Sequence, residues 1–526
     1  MSPALPSTPP VRTGRPLASL GGVLSLAFAL LASAPAPAID LPGPATQVTL
    51  PNGLRVLLVE RHEAPTFSAH LRFGVGSADD PPGATGLAHL VEHMRFKGTR
   101  EFGVTDPDAE APLLAQLDAL EDALQQADPS DTSRRAALEQ AHARLAAAAG
   151  RFVVPNEFWE TLRRHGGTHI NAMTVRDSTQ YTVNLPRNQV ALWALLEADR
   201  LRTPVFREFA SELEVIREEY RLMVETNPTA RLQVAAYGAA FGPTPYQHPI
   251  WGWPADLDRM TRPQAMAFAA TYYVPNNAWL VLVGDLDPAV VLPLVERAFG
   301  DIPARPLPPR PAWTLPDQTA LRRVTVAYPA EPQLVVYFQV PPSGPETEAL
   351  SLLAHLLVTG RTARLHRALV EEQRIATGVT ADTSWLLRHA GLFSLLGLPR
   401  APHTLAELEA GVLEEVERLR SEPVSPEELE RVQNQAELTL AQELRSNAGL
   451  AAQLARSWDL DGDWRALFAR PAHIQAVTAE RLREVARRYL TPERCTIGWL
   501  VRASEGPAER PPSMRVPVPF ETEPPE

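Results

Sequence analysis

Residues 87–96 have the sequence LAHLVEHMRF, which places two histidines and one glutamate within one turn of a predicted helix. At 100° per residue, the apolar side chains of this segment form one stripe and the polar groups fall on the other face. The apolar stripe consists of Leu87, Leu90, Val91 and Met94. The opposite face carries His89, Glu92, His93 and Phe96. This segment alone fits two interpretations equally well: a metal site with its own general base, or the solvated polar face of an ordinary helix.

The first interpretation follows from the spacing of the polar residues. Histidines at positions i and i+4 are neighbours on a helix, so His89 and His93 can bind one metal ion together. Glu92 lies one turn from His89 and can reach a water molecule on that ion. A catalytic zinc site usually needs a third protein ligand and one open coordination position. Another ligand is therefore expected elsewhere in the chain.

A candidate third ligand lies in ASELEVIREEYRLM, residues 210–223. Six positions share one predicted helical stripe, which we expect to hold four core residues and two carboxylates: Glu212, Val215, Ile216, Glu219, Leu222 and Met223. Burying two unpaired carboxylates would be costly, so each needs a compensating partner. A divalent cation would compensate Glu219, and a hydrogen bond to a ligand histidine would compensate Glu212. The alternative is a half-exposed helix whose glutamates reach past the edge of the core.

Length and composition bound the class of protein. The chain has 526 residues, 45% hydrophobic and 21% charged, which is ordinary for a globular protein and predicts at least two domains. The net charge is −12, and no basic patch suggests a nucleic-acid partner. Nucleic acid is therefore not an expected partner.

The N-terminus is typical of an export signal. Arg12 and Arg15 precede the apolar run LASLGGVLSLAFALLASA, so we predict a signal peptide over residues 1–38 with cleavage after Ala38. The alternative is a membrane anchor, which the shortness of the run and its glycines and serines disfavour. The lone Cys495 cannot form an internal disulfide, and an exported protein without disulfides fits a bacterial periplasm. No stable membrane span is expected after cleavage.

The two halves of the chain resemble each other. The repeated positions are Thr261, Tyr272 and Pro275, then Thr478, Tyr489 and Pro492, at a constant offset of 217 (478 − 261). Each set covers a predicted helix that is followed by an apolar strand. A second match aligns HMRFKG at 93–98 with HLLVTG at 355–360. Together the matches predict an α+β fold of two similar domains, each an antiparallel or mixed β-sheet packed with helices.

Proline content and helical patterning give the predicted boundaries. The proline-dense stretch DIPARPLPPRPAWTLPDQ indicates a linker over 301–320, between a first domain at 39–300 and a second at 321–505. Residues 506–526 are predicted to form a poorly ordered tail. Two helices striped with leucine and alanine flank DPSDT, and they predict a helical hairpin inserted at 108–149.

Several motifs, in this order, resemble the pitrilysin and insulinase metallopeptidases, whose inverted zinc motif is H-x-x-E-H. The resemblance runs from about residue 45 to about residue 503. Beyond HLVEH it includes NAMTVRDSTQYTVNLP, ELEVIREEYR, YYVPNNAWLVLVGDLDP and GRTARLHRALVEEQRIA. The chain is similar to half-size members of the family, such as the beta subunit of mitochondrial processing peptidase and bacterial processing-peptidase-like proteins.

The resemblance implies a zinc endopeptidase with one Zn²⁺ per chain, hydrolysing peptides or small unfolded proteins within a closed chamber. The implied zinc ligands are His89, His93 and Glu219. Glu92 matches the general base that takes a proton from the attacking water and passes it to the leaving amine. Glu212 matches the acidic residue that supports the site through a ligand histidine.

Asn171 and Ala172 match the edge strand that pairs with the substrate backbone in this family. An ordinary strand start is the alternative for these two residues. Two other functions stay open for the chain: a non-catalytic binding subunit, and a peptidase dedicated to one precursor. The intact zinc motif argues against the first, and no specificity pocket is legible in the sequence to decide the second.

The second half departs from the zinc motif. Aligned on HLLVTG, the three motif positions become Ser351, Ala354 and His355, so no metal is expected there. In the family, the domain that faces the zinc often supplies an Arg and a Tyr seven positions apart, and the matching positions here are Val370 and Thr377. The resemblance therefore implies a heterodimer with a homologous subunit that carries this pair and lacks an intact zinc motif.

Overall fold

The structure is a computed structural model, and it describes residues 41, 43–310, 313–382 and 387–503. The predicted signal peptide at 1–38 and the predicted tail at 506–526 lie outside the described residues. Across the described ranges, no helix combines the length and the apolar character needed to cross a membrane.

Six strands form the first sheet. They are β1 Ala45–Thr49, β2 Arg55–Glu60, β3 Thr66–Phe73, β4 Thr168–Thr174, β5 Thr179–Pro186 and β6 Ala278–Gly284. Their order is β1-β2-β6-β3-β5-β4, with β2 and β6 parallel and the other neighbours antiparallel. The β1–β2 turn contains Gly53, whose φ of +85° is a conformation that glycine adopts without strain.

Five strands form the second sheet. They are β7 Arg322–Tyr328, β8 Gln333–Val340, β9 Ala376–Asp382, β10 Gly391–Pro399 and β11 Cys495–Arg502. Their order is β7-β11-β8-β10-β9, and β7 and β11 are the parallel pair. This order repeats β2-β6-β3-β5-β4 with the parallel pair in the same place. The predicted α+β fold of two similar domains is confirmed.

The first half of the chain also contains helices. They are α1 Leu87–Met94, α2 Pro107–Gln126, α3 Thr132–Ala149, α4 Glu157–Arg164, α5 Val190–Arg202, α6 Phe209–Tyr220, α7 Pro228–Phe241, α8 Pro254–Leu257, α9 Arg262–Tyr272 and α10 Pro288–Phe299. The main core packs the buried residues of α1, α5, α9 and α10 against β2, β3, β5 and β6. α2 and α3 pack on each other and supply the two helices expected at 108–149.

The helices of the second half are α11 Thr347–Val358, α12 Leu405–Ser421, α13 Pro426–Glu443, α14 Asn447–Leu460, α15 Ala466–Ala476 and α16 Ala479–Tyr489. α16 reproduces α9 at the offset of 217 at both ends (479 − 262 and 489 − 272). The reason is local, since Thr261 and Thr478 each accept a hydrogen bond from a backbone nitrogen in the first turn and so cap the two helices alike.

One helix from each half packs on the sheet of the other half. α14 packs on β3 and β6, where Leu450, Leu454 and Trp458 join the apolar side chains of the first sheet. α7 packs on β7, β8 and β11 through Leu232 and Ala236. This exchange buries a second face of both sheets and joins the two halves through apolar contact.

Candidate metal centre

The short helix α1 carries both motif histidines and Glu92, and a buried carboxylate fixes its start. Asp80 accepts hydrogen bonds from the backbone nitrogens of Gly86 at 2.7 Å and Ala88 at 2.8 Å, which satisfies donors at the helix start. Gly86 has a φ of +91°, and a Cβ at this position would lie 2.4 Å from the carbonyl oxygen of Trp251. Glycine alone fits this junction, so it sets where the helix begins.

The side chains of His89, His93 and Glu219 converge. The Nε2 atoms of both histidines lie 3.7 Å from Oε2 of Glu219, and one ligand atom from each residue lies within 4.8 Å of the others. The two imidazole rings meet edge to face with centroids 4.7 Å apart. In the part of the chain that the structure describes, this is the single group of three His, Cys, Asp or Glu side chains close enough to share an ion.

Glu212 fixes the orientation of His93. Its Oε1 lies 2.9 Å from Nδ1 of His93, and its Oε2 lies 2.5 Å from Nζ of Lys97. Nδ1–H of His93 therefore donates to Glu212, which leaves the Nε2 lone pair directed at Glu219. Burial lowers the pKa of His93, but the hydrogen bond to Glu212 and the charge of Glu219 outweigh it and raise the pKa. The carboxylates around His93 thus favour a cation at its Nε2, either a proton or a metal ion.

His89 is held in the neutral state. Burial, and secondarily the neighbouring His93, lower the pKa of His89 to about 3. Its ring lies edge-on to the indole of Trp251, with ring centroids 6.4 Å apart. A neutral imidazole keeps a lone pair for a metal ion, and two imidazole nitrogens with one carboxylate are a donor set suited to zinc. The three residues therefore fit this metal.

Glu92 is buried beside the histidines and is oriented by threonines. Oγ1 of Thr174 donates to Oε2 of Glu92 at 2.6 Å and lies 3.3 Å from Oγ1 of Thr179. Because the ionised carboxylate of Glu92 can only accept, the hydroxyl hydrogen of Thr174 is directed at Glu92 rather than at Thr179. Burial raises the pKa of Glu92, and the bond from Thr174 opposes that rise. A buried carboxyl group with a raised pKa is suited to accept and return a proton.

The strand that ends at Thr174 is at the edge of the first sheet. β4 pairs with β5 on one side and is the last strand of the sheet, so its other side is free. Asn171 and Met173 are exposed, Ala172 is half-buried, and Thr174 is buried against Glu92. The free edge that contains Asn171 and Ala172 therefore passes directly beside α1.

A cavity of about 230 Å³ adjoins this edge. Its apolar lining includes Val175, Val234, Tyr237, Trp251 and Leu392. Val175 directly follows the strand residue that binds Glu92, and Trp251 contacts the ring of His89. The cavity thus lies next to residues that border the candidate site.

The predicted apolar stripe of residues 210–223 is partly wrong. Ile216 is fully buried, but three of its apolar partners are largely exposed: Val215 (44%), Leu222 (51%) and Met223 (51%). α6 ends at Tyr220 and the chain continues as a π-helix over Arg221–Glu225, so the spacing of 100° per residue fails beyond that point. The side chain of Glu219 is 35% exposed and lies at the rim of the core rather than inside it.

The predicted polar face of α1 also needs correction. α1 ends at Met94, and Phe96 packs against the core with its ring stacked on Trp159 at 4.9 Å. His89 and Glu92 are 8% and 7% exposed, respectively, so the solvated-face interpretation of this segment is wrong. The motif is a set of buried polar groups that contact one another and a neighbouring strand and helix.

Comparison with known families identifies the chain. The family described as insulinase (peptidase family M16) matches residues 55–105, which contain the H-x-x-E-H segment. The family described as peptidase M16 inactive domain matches residues 259–436. The two matches support a peptidase of the pitrilysin/insulinase family. Most of the second match lies in the second half of the chain. There, the positions aligned with His89 and His93 hold Ser351 and His355.

Two relatives of this family member cover most of its length. The zinc protease PqqE of Helicobacter pylori is 23% identical over 417 residues, which is 78% of this chain and 82% of the relative. The probable mitochondrial-processing peptidase subunit beta of Arabidopsis thaliana is 23% identical over 470 residues, 86% of this chain and 77% of the relative. The predicted similarity to this subunit is confirmed, and the relatives indicate a metallopeptidase.

Solved structures share the family fold. A protease from Helicobacter pylori superimposes with a TM-score of 0.73 at 21% identity and covers 87% of this chain and 100% of its own. The periplasmic protease PqqL from Escherichia coli gives a TM-score of 0.67 at 18% identity. The match covers 88% of this chain but 48% of PqqL, so this chain spans about half the length of that protease.

Sequence reasoning missed residues that build the site. Thr174 lies inside the motif NAMTVRDST, but nothing in its spacing reveals that it contacts Glu92. Lys97 follows the histidines by a few residues and pairs with Glu212 on another helix. Asp80 lies six positions before the N-cap residue Gly86, so the usual capping pattern does not reveal it.

Proposed function

We propose that this family member is a zinc-dependent endopeptidase, with one Zn²⁺ held by His89, His93 and Glu219. The proposal rests on three ligand atoms that lie within 4.8 Å of one another. Glu92, a buried glutamate that is not one of the three ligands, lies beside them. When bound, zinc would polarise the scissile carbonyl and acidify the attacking water.

Glu92 performs the proton transfers in this proposal. Its carboxylate accepts the proton of the attacking water and later returns it to the nitrogen of the leaving amine. The hydrogen bond from Thr174 holds the carboxylate in one rotamer, so no reorganisation is needed when the proton moves. Glu212 keeps His93 in the tautomer that presents Nε2, and Lys97 compensates the charge of Glu212.

The substrate in this proposal is a peptide or a small unfolded protein in an extended conformation. Its backbone pairs with the free edge of β4 at Asn171 and Ala172, because that side of the strand has unused hydrogen-bonding groups. The 230 Å³ cavity beside Val175 and Trp251 accommodates one apolar side chain of the substrate. A folded protein could not present an extended segment along this edge.

A pH profile tests the contact between Thr174 and Glu92. Glu92 must be ionised to accept a proton, so kcat/KM rises as pH rises through its pKa. Thr174→Val removes a hydrogen bond that lowers this pKa, so the acid limb of the profile is expected to move to higher pH. The matched variant Thr271→Val loses a hydroxyl that bonds only its own helix and should keep the wild-type profile. An unchanged acid limb in Thr174→Val would remove this threonine from the mechanism.

The chain acts, in this proposal, as the catalytic subunit of a heterodimer that closes into a chamber. The positions matched to the family's Arg and Tyr hold Val370 and Thr377, so an oxyanion donor from a second subunit is needed. The chain corresponds to about half of PqqL in length. Three large apolar side chains are exposed on the segment that carries Glu219, namely Val215, Leu222 and Met223. Such a patch next to a site is typical of a surface that a partner covers.

The mass and activity of the native protein test the heterodimer. Protein purified from its natural source is expected to elute as a complex of this chain with a homologous chain that lacks H-x-x-E-H. Peptide-cleaving activity should elute with the complex and should be weak in fractions that contain this chain alone. An active monomer, or a fully active homodimer, would contradict the heterodimer and leave the zinc assignment standing.

The site of action proposed for this enzyme is the bacterial periplasm, after removal of the predicted signal peptide. The proposal rests on the basic and apolar pattern of residues 1–38 and on a single cysteine in 526 residues. Mass spectrometry of the native protein would show an N-terminus at Ile39. Retention of the apolar run in the mature protein would contradict cleavage.

A further inference from the structure

The second half of the chain contains a cavity of about 600 Å³ between the start of α11 and helices α14 and α15. A neighbouring cavity of about 320 Å³ shares Arg456 and Arg470 with it. The smaller cavity is also lined by Ser351, Ala354 and His355, the residues aligned with the zinc motif of the first half. The smaller cavity therefore lies at the counterpart of the metal centre, where serine and alanine replace His89 and Glu92.

Arg456 supplies a positive charge to both cavities. In the described part of the chain, its guanidinium makes no hydrogen bond and no ion pair. Its neighbour Arg470 instead donates from Nε to Glu348 at 2.9 Å. The carboxylates of Asp461 and Glu443 influence Arg456 from beyond ion-pair distance. An unpaired, partly buried guanidinium is costly, so the position calls for an anion.

The local charges reinforce this requirement. Burial, with Arg72 and Arg470 nearby, lowers the pKa of Arg456 to about 10, so the side chain stays charged at neutral pH although its surroundings oppose the charge. Arg481, at the other end of the larger cavity, is paired with Glu346 at 2.6 Å. Among the described residues, Arg456 is therefore the arginine of this cavity that makes no ion pair.

The helix that carries Arg456 explains why the arginine is held there. α14 uses Leu450, Leu454 and Trp458 to cover the first sheet, and its other face, with Gln453 and Arg456, borders the cavities. The helix is fixed by packing that does not involve the arginine. The guanidinium thus faces the cavity without a structural contact of its own.

We propose that Arg456, supported by Arg470, forms a binding site for the oxyanion group of a small molecule, a carboxylate or a phosphate, in the second half of the chain. A guanidinium presents paired N–H donors that match either group. The larger cavity is within the range of about 300–1,000 Å³ that small-molecule sites occupy. Its apolar wall, which includes Leu460, Ala466 and Val477, suits the non-polar part of such a molecule.

Calorimetric titration of the full chain with inorganic phosphate, and separately with succinate, tests the site. At least one probe is expected to bind saturably with a stoichiometry of about one, and Arg456→Gln should weaken that binding at least tenfold. The control Arg361→Gln removes an exposed arginine that lines neither cavity and should bind as the wild type does. Binding by one probe alone identifies its chemistry as the ligand class. Binding by neither, or equal binding by Arg456→Gln, overturns the proposal.

Thermal denaturation separates loss of the site from loss of the fold. Because Arg456 makes no hydrogen bond or ion pair with the described residues, Arg456→Gln should unfold at the wild-type temperature or above it when no anion is present. The probe that binds should raise the unfolding temperature of the wild type and leave the variant unchanged. A variant that is several degrees less stable without an anion would show that the arginine is structural, which overturns the proposal.

Discussion

Glu92→Gln is expected to lower peptide cleavage by about 10³-fold, within the range of 10²–10⁴ that general acid–base groups contribute, while zinc stays bound. Glutamine has nearly the same shape and still accepts the hydrogen bond that Thr174 donates. It cannot accept the proton of water at any accessible pH. The three proposed ligands are untouched, so the metal content should equal that of the wild type.

Two measurements on the same preparations test this prediction. One is cleavage of an unstructured peptide, and the other is zinc content by elemental analysis. The variant Glu160→Gln removes an exposed carboxylate on α4 and provides the matched control. It should cleave as the wild type does. Equal cleavage by Glu92→Gln and wild type would remove Glu92 from the mechanism, and loss of zinc in Glu92→Gln would show that this residue is a ligand.

Glu219→Ala is expected to lose zinc and activity together. The carboxylate is the one acidic member of the proposed ligand set, and its side chain is partly exposed, so its removal leaves no buried charge behind. The affinity for zinc should fall by more than about 100-fold, the upper end of what supporting residues outside the ligand set contribute. Circular dichroism should stay unchanged, because the buried face of α6 is intact.

Alanine variants of two other glutamates on α6 allow the loss of zinc affinity to be compared. Glu212→Ala removes the partner of His93 Nδ1 and should weaken zinc binding by roughly 10–100-fold. Glu218→Ala removes an exposed carboxylate that pairs with Arg221 and should leave zinc binding unchanged. Competition with a chromophoric chelator gives the three affinities. Equal affinities in Glu219→Ala and Glu218→Ala would contradict the ligand assignment.

The sequence was sufficient for features that depend on local signals. The repeat at an offset of 217 predicted matching helices, because Thr261 and Thr478 cap them and an apolar strand follows each. The β1–β2 turn at Gly53 was predictable because a positive φ favours glycine. The spacing of His89 and His93 suggested a shared ligand site because both lie on one helix.

Features that depend on distant contacts were not predictable. The bond from Thr174 to Glu92 joins residues 82 positions apart, and no periodicity in either segment indicates it. The exchange of α7 and α14 between the sheets is likewise absent from local patterning, since each helix simply shows an apolar face. The prediction for residues 210–223 failed for a different reason, because a π-helix interrupts the assumed spacing.

The alignment of the two halves correctly indicated an altered second site, but it could not show what replaced the motif. No metal was expected at Ser351, Ala354 and His355. They line a cavity that also holds Arg456, which comes from a helix about a hundred residues further along the chain. A charge that lacks a partner is visible only when all of its neighbours are known.

Anomalous scattering measured at the zinc absorption edge, on crystals of the protein grown with zinc, tests the central claim most directly. The account predicts one strong peak per chain, about 2 Å from Nε2 of His89, Nε2 of His93 and the carboxylate of Glu219. Glu92 should lie outside that shell, bonded to Thr174. A peak with other ligands, or no peak between α1 and α6 in a zinc-saturated crystal, would contradict the assignment of this site as a metal centre.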